Sequence, residues 1–546
     1  MIKAYKQRLD RLISNKYYLL CVIATAIISY GFAITHGTID IDTLEGDRYI
    51  GSGNIMLSAG RFGMNFWARI FGNGVSDPYH AYTVDLIATL LLIAAAIQFC
   101  VLFQRASNNR FSTVGCIIFS CVFISYPLIN EIWEYTGANV CVCGGYFLTG
   151  ISVYCIYELL NNKNLSLKQK ILCILISLFC ATIICSAYES IAAVYVLVVF
   201  IVLFLKSVAT DKKEYTFSKL LKEGIIYSIF LACGCILRLI THKIILFVFK
   251  LEKGGNGATE IYWGEKPFIK ILKGLIKSYR HEFIQKAQIY FPIAVVSICI
   301  AILFFIMTIG TIKRKDFKLF FCGAGMMLSL ILLSLVQGEL SPERTNQPFA
   351  LFCAAVILFT YNIIKNKKTL GRIFAIAMAI LCINQATYLS NISQVNYARS
   401  EYEADIVKTI GTDLMRKGYK KVIVVGEITI PDNIMDQVYW SKEELSGLNK
   451  IRSALGRAKI TPRKKVNTNV QSVLNWSIRA FGDGKSLDEL FAFYGFDIEN
   501  HIEEELVSKA RDYAIEISMP AYPRDGYISE LGEYAVVCLD EVSNNN

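Results

Sequence analysis

Four carboxylates, Asp40, Asp42, Glu45 and Asp47, stand together in a polar stretch directly after the first long apolar run of the chain. A carboxylate at the edge of such a run is partly desolvated, which disfavours its charged form and raises its pKa. A base tuned in that way can take the proton of a hydroxyl as its oxygen attacks an electrophilic carbon. The chemistry on offer is therefore group transfer onto an alcohol. Asp40 and Asp42 lie closest to the apolar run, and either can fill the role of base. The alternative for the same residues is a solvated acidic loop.

Three further groups carry chemistry. The first is cationic: Arg61 in Gly60-Arg61-Phe62-Gly63, Arg238 inside an apolar run, and Arg344 in Ser341-Pro342-Glu343-Arg344-Thr345-Asn346. His242 follows Arg238 by one helical turn and shares its face. Arginine grips a phosphate through a bidentate fork, so these four residues form a candidate phosphate-binding set. Arg238 has two other uses, pairing with a buried carboxylate or snorkelling outward. The second group is Asn130-Glu131-Ile132-Trp133-Glu134-Tyr135, where Glu131 and Glu134 could bond sugar hydroxyls and Trp133 stack on a ring. Aromatic residues at a membrane surface also serve as plain anchors. The third is Tyr188-Glu189-Ser190, a substrate contact or a structural cap.

These residues need elements to hold them, and the composition says which kind. Of 546 residues, 54% are hydrophobic and only 18% charged, with a mean hydropathy of +0.43. Apolar runs of membrane-spanning length recur over most of the chain, and backbone in hydrocarbon must bond within its own segment. Spans are expected at 17–35, 83–103, 112–129, 140–159, 170–187, 190–205, 224–249, 290–311, 318–336, 348–364 and 371–390. The block 170–205 is read as a hairpin turning at Tyr188 rather than one tilted helix with a re-entrant segment. A formal charge of +11 suggests nucleic acid at first sight. The Lys and Arg instead gather in short loops, so no nucleic-acid partner is expected.

Those basic loops alternate with acidic, aromatic or long ones. The N-terminus, Arg105 with Arg110, Lys163 with Lys170, 206–222, Lys313-Arg314-Lys315 and 365–372 form the basic set. The other set is 36–82, 130–139, the turn at Tyr188, 250–289, 337–347 and 391–546. The positive-inside rule places the first set in the cytoplasm and the second outside. The N-terminal basic segment and its long apolar run read as an uncleaved first span. Charged side chains at membrane depth are costly, which is why the acidic and cationic groups above are functional candidates.

Two segments, 268–277 and 64–71, mix apolar residues with polar or basic ones at helical spacing. Each suits an amphipathic helix at the membrane surface, beside a lipid-access groove or simply juxtamembrane. Of 17 cysteines, Cys538 alone lies in the polar C-terminal region; the others sit in or beside apolar runs. None shows the spacing of a zinc site, so no zinc centre is expected. The division expected is a helical bundle over 1–390 and a small α/β domain over 391–546. In the latter, 421–426 and 534–539 read as strands and 504–517 as a helix. Gly426 stands alone, without a phosphate loop around it.

With these residues placed, the chain resembles the GtrII-type glucosyltransferases, multi-span bacterial membrane proteins of the broad GT-C class. The likeness rests on the order of Asp40-Ile41-Asp42, Gly60-Arg61-Phe62, the Tyr188 turn, Arg344, 421–426 and the segment Met519 to Ile528. It implies a mostly helical polytopic bundle with an extracytoplasmic α/β domain. It also implies transfer of a hexose, typically glucose, from an undecaprenyl-phosphate carrier to a surface polysaccharide or lipid-linked glycan outside the cytoplasmic membrane. It implies no cofactor and metal-independent chemistry, and the essential acid falls on Asp40 or Asp42. Glu189 departs from the resemblance, which leads one to expect Gln after the Tyr. The competing expectations are a glycan-lipid flippase, which calls for inverted repeats and broken helices, and a non-catalytic assembly partner.

Overall fold

Among the described residues of the computed structural model, eight helices are long and apolar enough to cross a membrane: Lys16–Thr35, Tyr82–Ala106, Ala138–Asn161, Leu167–Ala187, Glu189–Ala209, Phe217–Phe249, Phe291–Arg314 and Lys368–Arg416. The structure describes residues 2–38, 54–71, 81–133, 138–254, 261–286, 291–341, 343–426, 428, 442–454 and 487–540. Among these, three shorter apolar helices, Thr113–Ile124, Phe317–Ser329 and Pro348–Ile364, occupy the remaining stretches expected to span.

The short ones have local causes. A helix of 12 residues, as in Thr113–Ile124, rises about 18 Å against a hydrocarbon core about 30 Å thick. It stops because Pro127 lacks an N–H and disfavours helix before it; a 3-10 turn, Pro127–Ile129, follows. The expected span over 318–336 is instead two helices, Phe317–Ser329 and Leu332–Gln337. Just before the break, Ser329 turns its hydroxyl back onto the Gly325 carbonyl at 2.7 Å, a bond that competes with the helical ladder.

The hairpin over 170–205 is present. Leu167–Ala187 and Glu189–Ala209 pack against each other, and the chain passes between them through the single extended residue Tyr188, at φ −152° and ψ 128°. The basic loops supply helix caps. Ser166 and Gln169 form a capping box, while Ser112 and Thr216 accept the amides of Gly115 and Lys219. Ile2–Ile13, a helix the sequence analysis did not foresee, precedes the first span, and its Leu12 is buried.

At the basic-loop ends, charges that enter the bundle are paired. Arg105 meets Glu158 at 2.5 Å, Lys206 meets Glu223 at 2.5 Å, and Lys318 meets Asp316 at 3.3 Å. Tyr215 donates to the second oxygen of Glu223 at 2.9 Å, and the Lys206 ammonium lies 4.6 Å over the Tyr215 ring. Removing one partner of a shielded pair strands the other charge. Glu223→Ala is therefore expected to destabilise the protein by about 3 kcal/mol in thermal unfolding in detergent. The control Lys219→Ala, on the exposed side of the same helix, is expected to cost well under about 1 kcal/mol. Equal losses would show that the Lys206–Glu223–Tyr215 set is not what holds these ends.

Small residues let helices approach where the site lies. A Cβ at Gly144 would stand 2.2 Å from the Trp67 ring, and one at Gly63 would stand 2.7 Å from both the Ala187 amide and the Ser186 hydroxyl. The helix Phe62–Phe71, expected to lie at the membrane surface, is thus packed into the bundle, with Met64 and Trp67 buried. Phe268–Arg280 is amphipathic as expected: Ile271 and Leu275 are buried, while Phe268, Ile269 and Ile276 are exposed. Trp263, just before it, donates to the Leu335 carbonyl at 2.9 Å.

The chain divides into two compact units, Met1–Thr35 with Asp47–Ser390, and His36–Gly46 with Asn391–Asn546. The last long helix does not stop with its apolar run but continues to Arg416. In the second unit four strands lie in the order β2-β1-β4-β3: β1 (Lys421–Val425), β2 (Glu499–Asn500), β3 (Ile528–Leu531) and β4 (Tyr534–Cys538). β1 runs parallel to β2 and β4, with Val422 opposite Ala535, and β3 and β4 form an antiparallel hairpin. Ile423, Val425, Val536 and Cys538 face the helix Glu504–Glu516 through Ala510 and Ala514. Val422, Ala535 and Val537 face Ile406, Val407, Ile410 and Phe491 on the other side. Covered on both faces, β1 and β4 read as continuous apolar runs.

Candidate functional site

The turn Gly60-Arg61 sits between the short helix Asn54–Ser58 and Phe62–Phe71. Gly60 has φ +75°, a left-handed conformation that glycine adopts without cost. Its carbonyl accepts from Arg238 Nε at 3.2 Å. One residue pair earlier, the Ser58 carbonyl accepts from His242 Nε2 at 3.0 Å, which assigns the ring proton to that nitrogen. Arg238 and His242, one turn apart on Phe217–Phe249, thus hold the backbone that presents Arg61.

Arg61 reaches the hairpin tip. Its Nη2 lies 3.1 Å from Glu189 Oε2, and Nε and Nη2 each lie 3.3 Å from Oε1, with both side chains largely shielded. The guanidinium carbon also stands 5.6 Å from the Tyr188 ring centre. Burial pushes the Tyr188 phenol up, and the nearby Arg344 and Arg61 pull it down only partly, so Tyr188 keeps its proton at neutral pH. Arg344 is within hydrogen-bond reach of that phenol. It sits on the 3-10 turn Glu343–Thr345, whose Arg344 carbonyl accepts from the Gln347 amide. Tyr146 donates to the Gln347 carbonyl at 2.7 Å, tying this turn to Ala138–Asn161.

Six residues singled out in the sequence therefore meet in one place: Arg61, Arg238, His242, Arg344, Tyr188 and Glu189. They come from four distant stretches of chain. Arg61 pairs with Glu189, Arg344 stands at the Tyr188 phenol and Arg238 at the Gly60 carbonyl, so the described side chains bring more positive than negative charge to this turn, which suits an anionic group. Of the remaining candidates, Trp133 lies on the helix Asn130–Trp133, which packs against the Glu343–Thr345 turn. Trp133 is buried and stacks on Tyr30 with ring centres 4.2 Å apart, so one face is already covered; among the described residues its indole N–H has no partner. Glu131 lies on the four-residue helix Asn130–Trp133. Asp40, Asp42, Glu134 and the side chain of Glu131 lie outside the described residues. At the root of the acidic stretch, the His36 ring packs edge-on against Tyr397 at 4.9 Å. Among the described residues no group of three or more His, Cys, Asp or Glu could hold a metal ion.

One polar pair escaped the sequence reading. Asp85, buried near the start of Ala81–Ala106, accepts from Asn139 Nδ2 at 2.6 Å, and Asn139 Oδ1 accepts the Val140 amide at 2.7 Å. The signal was available, since Asp85 is a lone carboxylate inside an apolar run.

Gly60 gives a sharp test of this geometry. A Cβ there would stand 3.0 Å from His242 Nδ1 and 3.2 Å from Arg238 Nη2. Gly264 also has a positive φ, +104°, but nothing within 4 Å of its Cβ position. Gly264→Ala is expected to cost about 1 kcal/mol of backbone strain, and Gly60→Ala about 2–3 kcal/mol because crowding adds to it. Thermal unfolding in detergent measures both. Equal costs would mean that Arg238 and His242 do not pack against the turn.

The profile of the family described as Glucosyl transferase GtrII matches residues 31–361, a range that includes the acidic stretch and every residue of the cluster. No curated protein matches the chain. No solved structure matches it. The match covers more than half of the sequence and contains the whole arginine-centred site, and on that ground the chain belongs to the GtrII family of glucosyl transferases.

Proposed function

We propose that the protein moves a glucosyl group from a polyprenyl-phosphate carrier to a hydroxyl of a surface polysaccharide or lipid-linked glycan, on the outer face of the bacterial cell membrane. The observation that carries this reading is the convergence of Arg61, Arg238 and Arg344 at the end of the bundle away from the basic loops. A lipid carrier brings one phosphate to the membrane surface, and a cationic centre is what receives it. The loop charges favour the N-terminus in the cytoplasm and the C-terminal α/β unit outside.

The reaction is a single displacement with inversion at the anomeric carbon. The acceptor oxygen forms its bond to that carbon while Asp40 or Asp42 takes the hydroxyl proton. The bond from carbon to the carrier phosphate breaks, and its electron pair leaves on the phosphate. Arg61, Arg238 and Arg344 stabilise that growing charge. Tyr188 keeps its proton and contributes a neutral hydroxyl beside it.

The test is transfer by the purified protein in detergent. Labelled glucose is expected to pass from polyprenyl-phosphate glucose to glycan, without added metal, and not from a nucleotide sugar. Transfer from the nucleotide sugar alone, or movement of intact glycan lipid across vesicles without transfer, would overturn the reading.

A further inference from the structure

We infer that Cys185 and Cys235 form a disulfide that staples the two helices on either side of the arginine cluster. Their sulfurs lie 3.3 Å apart, Cys185 on Leu167–Ala187 and Cys235 on Phe217–Phe249, 50 positions apart in sequence. A disulfide bond is about 2.05 Å long, so the sulfurs have only about 1 Å left to close. The approach is built into the helices. At Gly234 a Cβ would stand 2.6 Å from Ala181 Cβ and 2.8 Å from the Ala181 carbonyl carbon, so the two backbones nearly touch one turn below Cys185.

The pair sits at the heart of the site's framework. Ser186, Ala187, Tyr188 and Glu189 follow Cys185 directly, and Gly63 rests against the first two. Arg238 follows Cys235 by three residues and shares its face, then holds Gly60. A link here would tie the segment that carries Glu189 to the helix that carries Arg238. In the proposed orientation, on which only this sentence rests, Cys185 lies two residues from the outer end of its span, on the oxidising side.

The two thiols differ in access. Cys235 is exposed, whereas Cys185 is buried. The oxidant is a disulfide, by class. The Cys235 thiolate attacks one of its sulfurs, forming a mixed disulfide and releasing the first thiol. Cys185 then attacks the Cys235 sulfur, the internal bond forms, and the second thiol leaves. Two electrons pass to the oxidant, and the two cysteine protons leave with the released thiols or the solvent.

The test uses the full chain in detergent, reduced and then freed of reductant, with the half-exposed thiols Cys21 and Cys233 changed to Ala, and a dipyridyl disulfide as probe. The expected result is release of two thiopyridones for the one exposed cysteine. Cys235 retains no pyridyl adduct, and peptide mapping finds it joined to the Cys185 peptide, lighter by two hydrogens. In Cys185→Ser, release halves and the adduct stays on Cys235. If the parent protein itself releases one equivalent and keeps the adduct on Cys235, the inference is overturned. That readout decides the matter even where Cys185→Ser fails to fold, and it does not depend on which sugar, if any, the protein transfers.

Discussion

Asp42→Asn is expected to lower glucosyl transfer by about a thousandfold, within the range of roughly 10²–10⁴ that a positioned general base contributes. Asparagine keeps the size and one acceptor oxygen of aspartate but cannot take the acceptor proton. The loss belongs in kcat, with KM for the donor changed less than about threefold, because an interaction made only in the transition state has been removed. The wild-type rate rises with pH as the base loses its own proton, and that limb is expected to vanish in the inactive variant. Asp40→Asn, made separately, is the partner experiment. The base is whichever variant loses the pH limb, and Asp42 is the first choice. Full activity and an unchanged pH profile in both variants would remove carboxylate catalysis from this loop.

What could be read from the sequence, and what could not, has a physical basis. Helical spans announce themselves by length and hydropathy, so the bundle and the Tyr188 hairpin were legible from composition alone. The two-sided burial of β1 and β4 made them read as apolar runs, whereas β2 is two residues long and β3, Ile528–Leu531, buries only its first residue. Neither carries enough pattern to be seen. The break at Leu330 and Ile331 was hidden because no Pro or charge marks it, and the packing of Phe62–Phe71 into the bundle depends on Gly63 and Gly144 meeting partners far away in sequence. The site followed the same division. Arg61, Arg238 and Arg344 stood out because charge is costly in apolar surroundings. Their common destination did not, since no local pattern says that Gly60 will accept from Arg238 or that Arg61 will reach Glu189. Asp85 was missed although the same rule applied to it.

Glu189 is where the chain departs from its resemblance, and Arg61 is the residue on which the departure acts. The ion pair is close, 3.1 Å, and side-chain exposure is 13% for Arg61 and 24% for Glu189. A carboxylate so placed competes with a donor phosphate for the same guanidinium. Glu189→Gln keeps shape and hydrogen bonding while removing that competition. It is expected to lower KM for the donor by about threefold with kcat little changed, as for uniform binding. Arg61→Gln removes the fork itself, and its expected loss in kcat/KM is about a hundredfold, or about 2.7 kcal/mol at roughly 1.36 kcal/mol per decade. The double variant separates two roles for Arg61. If the arginine serves the phosphate, Arg61→Gln with Glu189→Gln stays as impaired as Arg61→Gln alone, because neutralising the carboxylate does not restore a phosphate ligand. If it serves only to neutralise Glu189, the double variant recovers most of the wild-type rate, since the stranded charge is gone. Recovery would move the donor phosphate away from Arg61 and onto Arg238 and Arg344, and would recast the pair at the hairpin tip as a structural clasp.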